Sequence, residues 1–271
     1  MVYGIAKMLN FAHGDVIMIG AYVSFSATQY WGMHPIVSII ISVAVCTVLG
    51  MTIERLAYKP LRQAPSLAVL ITAIGMSYLL QNGAQLLWTA NNKMFPSFLN
   101  FGGKPGFSLF GGELNISFTT LVTVGACVVI MIALTLFTGK TKIGKAMRAC
   151  SEDKGAAQLM GINVNATIST TFAIGSALAA IAGVLLCSSY PTLQPTTGSM
   201  PGIKAFTAAV FGGIGSIPGA FLGGLLLGII ESMAKAYIST SLANAIVFAV
   251  LIIVLLVKPA GLLGKYVPEK V

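Results

Sequence analysis

Uncharged apolar runs about as long as a bilayer is thick recur along this chain, and the charges between them are gathered into short loops. The clearest runs are Ile36 to Ile53, Ser66 to Trp88, Ile116 to Phe137, Thr167 to Tyr190 and Leu242 to Val257. Hydrocarbon offers no water to satisfy backbone N–H and C=O groups, so a segment crossing it must bond to itself, and a helix of roughly twenty residues does so. The pattern predicts an all-α, polytopic membrane helical bundle. With 56% of residues hydrophobic and 8% charged, too little polar surface exists to clothe a water-soluble enzyme domain. Adding VIMIGAYVSFSATQYW, a run opening near Gly219 and a short one from Ile203 to Phe211 gives about eight spans in one domain, residues 1–271.

The net charge of +9 has a simple source in this setting. Cytoplasmic loops carry an excess of Lys and Arg, and the cations here sit in short loops without the interleaved aromatics of a nucleic-acid surface. Glu54, Arg55, Lys59 and Arg62 mark one cytosolic end, and Lys258 and Lys265 mark the tail. Four cysteines, Cys46, Cys127, Cys150 and Cys187, form no CxxC pair and are expected to be free thiols.

The most water-adapted stretch is Gly139 to Asn165, GKTKIGKAMRACSEDKGAAQLMGINVN, between the two apolar halves. Lys140, Lys142, Lys145, Arg148 and Lys154 outnumber Glu152 and Asp153, so a cytoplasmic loop is expected over about 139–167. Within it Ser151 is placed to cap a short helix running from Glu152 to Met160. The two acids fall in its first turn, where the helix dipole favours them, and Gly161 ends it in a left-handed conformation. Ala156, Ala157 and Met160 then form a small smooth face suited to a partner's groove, although an ordinary solvated connector is an equal reading of the periodicity. Gly139, Gly144 and Lys145 imitate the start of a phosphate-binding loop. Ala146 stands where a magnesium-binding hydroxyl is needed and no strand precedes the glycine, so nucleotide chemistry is not expected in this chain.

Polar residues inside apolar runs supply the candidate solute route. Asn10, His13, Gly14 and Asp15 interrupt the first run at the mouth of a helix, and such breaks expose backbone and helix ends to a passing solute. For Asp15 an N-cap role is an equal alternative. His13 and Asp15 make a poor metal site because no third ligand is near. Ser77, Gln81 and Gln85, spaced four apart with Asn82 beside them, share one helix face; Thr72, Ser77 and Gln81 are assigned to the route and Gln85 to helix packing. Gly175, Ala179 and Gly183 should let a neighbouring helix approach closely. HGDVIMIGAYV and GSIPGAFLGGLL are both small-residue breaks opening an apolar helix, one per half, a loose inverted-repeat symmetry. Glu231 and Lys235, four apart, are expected to form a structural ion pair. No residue pairs a nucleophile with a base, so no catalytic constellation is found.

The segments MVYGIAKMLNFAHGDVIMIGAYVSF, ITAIGMSYLLQN, KAFTAAVFGGIGSIPGAFLGGLLLGIIES and LLVKPAGLLGK resemble, over nearly the whole chain, the branched-chain amino acid permease family in its LivH-type form. The run Ala156, Ala157, three residues, Gly161 resembles the loop by which importer permeases engage their ATPases; Gly155 departs from it where an acid is usual. The resemblance implies a permease subunit of an ATP-driven importer for leucine, isoleucine and valine in a prokaryotic inner membrane, working by alternating access. It implies a LivM-type second permease, two ATPases that hold ATP and magnesium, and a soluble extracytoplasmic binding protein. This subunit itself would bind no cofactor and no nucleic acid, and would lie in membrane lipid. Arg148, Glu152, Asp153, Ala156, Ala157 and Gly161 become the ATPase-coupling set, and Asn10, His13, Asp15, Thr72, Ser77 and Gln81 the translocation set. A further span precedes Met1 in the family pattern, so the first family span is expected to be missing here. A permease for urea or another small polar solute, and a passive channel, are the alternative functions.

Overall fold

The computed structural model describes residues 2–6, 8, 10–96, 106–109 and 114–264, and within them the chain is helical with two small two-stranded ribbons. Lys265 and part of the 91–115 loop lie outside the described residues. The helices are α1 (Val2–Ala6), α2 (His13–Gln29), α3 (Pro35–Ile53), α4 (Ser66–Trp88), α5 (Phe118–Lys140), α6 (Lys142–Glu152), α7 (Lys154–Leu159), α8 (Val164–Ser189), α9 (Ser199–Gly212), α10 (Ile217–Tyr237) and α11 (Ala243–Val257). A π-helical turn, Glu54–Tyr58, extends α3.

Among the described residues five helices are long and apolar enough to cross a membrane alone: α3 with its π turn, α4, α5, α8 and α10. The other three of the eight expected spans are shorter, at 17 residues for α2, 15 for α11 and 14 for α9. At 1.5 Å per residue α9 reaches only about 21 Å, well short of a hydrocarbon core of about 30 Å. It folds back on α10 instead, through a turn in which Gly213 and Gly215 adopt φ of +107° and +94°.

The interior is built by α2, α3 and α8. A turn at Gly32, with φ +61°, returns α3 antiparallel to α2. Small polar side chains then rung the hairpin: Ser24 and Ser38 hydroxyls meet at 3.1 Å, Ser42 Oγ donates to the Gly20 carbonyl at 2.6 Å, and Cys46 Sγ donates to the Val16 carbonyl at 3.7 Å. Hydrocarbon drives no apolar association, so close backbone approach and internal hydrogen bonds must hold such helices together. The glycine stripe on α8 serves this purpose as expected. Gly183 lies against the Ile17 carbonyl, Ala179 is buried, and a β-carbon on Gly20 would stand 2.6 Å from the Ala180 Cα. By contrast α5 buries no residue at all.

At the end of this core nearest α6 and α7, Glu54 is buried. It pairs with Arg62 and accepts from Ser169 Oγ at 2.6 Å, while Arg62 also bonds Asn165. This carboxylate is therefore spent on clamping α3 to α8 rather than facing water. At the opposite end β1 (Lys93–Met94) pairs antiparallel with β4 (Thr192–Leu193), tying together the loops of the two halves. The other ribbon pairs β2 (Gly106–Leu109) with β3 (Leu114–Ser117). Glu231 of α10 bonds Lys235 at 2.6 Å, the expected pair, and also Lys204 of α9 at 2.8 Å, which staples the α9–α10 hairpin. All four cysteines are free, and only Cys127, on α5, is exposed.

Candidate functional site

Helix α2 opens in the middle of the bundle, beside the midpoint of α8. Its first turn carries Asp15, which is 1% exposed. The helix starts at His13 after Ala12, with no side-chain cap, so Asp15 sits inside the first turn and is not an N-cap. Its partners come from elsewhere. Gln81 Nε2 of α4 lies 3.0 Å from Asp15 Oδ1, 3.1 Å from Ser77 Oγ and 3.2 Å from Ser199 Oγ at the head of α9. Ser77 also bonds the carboxylate. A buried acid in a membrane segment is expensive unless its oxygens are met by donors, and the N-terminus of α2 adds favourable dipole.

Three helix segments thus converge on one carboxylate, and their backbones touch where glycines allow it. A β-carbon on Gly14 would lie 2.5 Å from the Gly198 carbonyl oxygen and 3.0 Å from the Gly202 Cα; Gly4 of α1 stands similarly against Gly215. The two breaks that open α2 and α10 are thus not packed on each other; the first meets the head of α9 and the second meets α1.

Of the six route candidates the structure brings together Asp15, Ser77 and Gln81. Asn10 instead accepts from Tyr58 Oη at 2.8 Å, fastening the loop before α2 to the π turn. His13 opens α2 with its ring beside Gly175, and Thr72 bonds the Ala68 carbonyl of its own helix at 2.9 Å. Ser199 has no sequence signal, because it lies in an uncharged stretch that reads as a turn. Gln85 corrects the sequence reading. It is exposed and makes no hydrogen bond among the described residues, so no described helix of this chain holds it. The reason is geometric: steps of four residues advance about 40° each, so Ser77, Gln81 and Gln85 fan across about 80° of α4.

The loop between α5 and α8 is two helices, not one. Thr141 caps α6 by accepting from Gly144 N, and α6 lays Met147 and Cys150 inward. The chain turns at Asp153, whose Oδ1 accepts from Gly155 N at 2.7 Å and Ala156 N at 3.0 Å. Asp153 is therefore the cap of α7, and Ser151, expected in that role, instead donates to the Arg148 carbonyl within α6. Gly161 does end the segment at φ +81°, with Ile162 N returning to the Ala157 carbonyl.

Ala157 differs from expectation as well. It is 4% exposed and packs with Ile5, Met147 and Cys150, so it faces the membrane domain rather than a partner. The outward surface of α7 carries Ala156, Leu159 at 90% exposure and Met160 at 82%. Glu152 and Arg148 are exposed beside it, and Arg148 Nη2 donates to the Gly139 carbonyl at 3.1 Å. Lys154 Nζ reaches the carbonyl of Ala6, the last residue of α1, at 2.8 Å. A cavity of about 260 Å³ separates α6, through Met147, Arg148 and Ser151, from the α9–α10 turn at Gly213 to Ser216.

The family model described as branched-chain amino acid transport system / permease component matches residues 1–255. All of the chain aligns with 90% of the high-affinity branched-chain amino acid transport system permease protein LivH of Escherichia coli K12, at 46% identity. The corresponding protein BraD of Pseudomonas aeruginosa is 44% identical, with all of this chain and 91% of that one covered. A probable LivH permease of Methanocaldococcus jannaschii is 31% identical over 97% of this chain and 85% of its own. No solved structure gives a significant match.

Proposed function

Because the chain belongs to the family of branched-chain amino acid transport permeases, we propose that it forms part of the route by which an ATP-driven importer carries leucine, isoleucine and valine across a prokaryotic inner membrane. The observation that carries this reading is the 46% identity to a named branched-chain amino acid permease over the whole of this chain. Urea or another small polar solute is not favoured by relatives of that name.

The partners are a LivM-type permease supplying the rest of the route, two ATPases and an external solute-binding protein. ATP and magnesium belong to the ATPases. Helix α7 is the contact through which they act: a rigidly capped turn presenting Ala156, Leu159 and Met160 fits an apolar groove. Arg148 and Glu152 stand beside that contact, and Asp153, Ala157 and Gly161 hold the turn in shape. Movement of α7 reaches the interior along two lines, since Lys154 holds the end of α1 and Ala157 lies under Ile5. The cavity beside the α9–α10 turn gives α6 room to shift without overpacking. Four residues beyond Ala6 the chain reaches Asn10, and then His13 and the Asp15 cluster, where α2, α4 and α9 meet.

Proteoliposomes containing the assembled complex should take up labelled leucine with ATP and loaded binding protein, and should exclude labelled urea. Urea uptake, or leucine flux that persists without ATP, overturns this function.

A further inference from the structure

Helix α4 presents two exposed faces of opposite character. Leu79 and Leu86, seven apart, form one, at 63% and 88% exposure. Tyr78, itself 63% exposed, with Asn82 and Gln85, forms the other. Tyr78 and Leu79 are neighbours, equally exposed and equally deep, about 15 Å from the Trp88 end at 1.5 Å per residue. Lipid chains suit Leu79, as they suit the aliphatic face of α5 formed by Leu121, Val124, Val129 and Ile132. They do not suit the other face. Asn82 spends one amide hydrogen on the Tyr78 carbonyl at 2.8 Å, and Gln85 and the Tyr78 hydroxyl have no partner among the described residues. An unpartnered carboxamide is costly to move from water to hydrocarbon.

Helix-to-helix packing would satisfy these groups too, but three features favour a wet route. Tyr78 and Gln85 flank Gln81 at three and four residues, so the exposed face is continuous on the helix surface with the buried Asp15 cluster. Gly75, one turn below and between Tyr78 and Leu79 around the helix, has nothing within 4 Å. The polar groups also stop at mid-depth, and Ile71 and Leu67 follow toward the other end at 61% and 64% exposure. A packed neighbour needs contact along its length, whereas a vestibule opens from one end. We infer that the Tyr78, Asn82 and Gln85 face of α4 lines the solute path from the Trp88 end down to the Asp15 cluster. Its amides and phenol meet the carboxylate and ammonium of the passing amino acid. Gly75 leaves room for the aliphatic side chain. The solute in this statement rests on the proposed function; the wet path does not.

The test uses the assembled complex in proteoliposomes with the exposed Cys127 replaced by serine, the other three cysteines being buried. Tyr78→Cys, Asn82→Cys and Leu79→Cys are compared for reaction with a charged, membrane-impermeant thiol reagent. The first two should react more than about tenfold faster than Leu79→Cys, since a charged reagent does not enter hydrocarbon. Their modification should abolish leucine uptake. Equal reactivity at Tyr78→Cys and Leu79→Cys overturns the path, and no reaction at Tyr78→Cys and Asn82→Cys overturns it too and makes the face a protein contact. Failure of leucine uptake by the unmodified complex overturns the substrate instead, and leaves the labelling pattern to decide the path.

Discussion

The Asp15 cluster and the α7 turn are both short polar interruptions of an apolar chain, yet they solve the same problem in opposite ways. Asp15 is satisfied by side chains sixty and more residues away, Gln81 at 66. Asp153 is satisfied by the two backbone amides that follow it. The first arrangement exists only when three helices are assembled; the cap in the second closes within three residues. Long-range bonds make the interior cluster sensitive to how α2, α4 and α9 are placed. A self-capped turn keeps its shape while it moves, which is what a transmitting element requires.

Three substitutions break this comparison at successively smaller cost. Gln81→Leu removes the donor that joins Asp15, Ser77 and Ser199, leaving a buried carboxylate short of partners. A loss of about 3 kcal/mol in stability is expected, visible as a lower melting temperature of the purified complex, with α7 contacts intact. An unchanged melting temperature means the cluster is not a structural junction. Leu159→Asp should do the reverse. It places a charge on a 90% exposed position, so folding should shift by less than about 0.5 kcal/mol, while ATPase association weakens by about 2 kcal/mol if Leu159 anchors that contact. Co-purification of the ATPases and leucine uptake report it, and normal values for both would sink the assigned role of α7. Asp153→Ala removes the cap, at about 1 kcal/mol. Uptake should fall modestly and recover with Asp153→Ser, because a hydroxyl can accept from the same amides. Ala157→Trp is not a clean probe of the partner contact, since Ala157 is buried and a large side chain there overpacks α6 and α7.

Much of the fold is legible in the sequence because its causes are local. Apolar length and charge placement locate the helices, and Gly161 announces a left-handed terminus by being the one residue without steric penalty there. Gly175, Ala179 and Gly183 announce a close helix neighbour without saying which. The cap of α7 is misread as Ser151 because Ser151 and Asp153 are both good caps, and choosing between them requires knowing where α6 ends. Ser199 is missed and Gln85 misassigned for another reason: neither the residue type nor the spacing says which side of α4 or α9 faces protein.

What the sequence determined by itself is therefore the class of molecule, an all-α membrane bundle of the branched-chain amino acid permease family, with a charged loop between two apolar halves. Backbone hydrogen bonding in hydrocarbon allows only helices and closed barrels, and continuous apolar runs of about twenty residues are too long and too uniform for barrel strands. Tertiary structure alone decided which polar groups are hidden and which are shown. It buried Asp15 with Gln81, turned Ala157 inward and left Leu159, Asn82 and Gln85 outside. Such choices depend on the rotation of each helix about its own axis. For α2, α8 and α9 that rotation is fixed by close glycine contacts, Gly14 with Gly198 and Gly20 with Ala180, and for α4 by the bonds of Gln81 to Asp15 and Trp88 to Ser26, all between residues far apart in the chain.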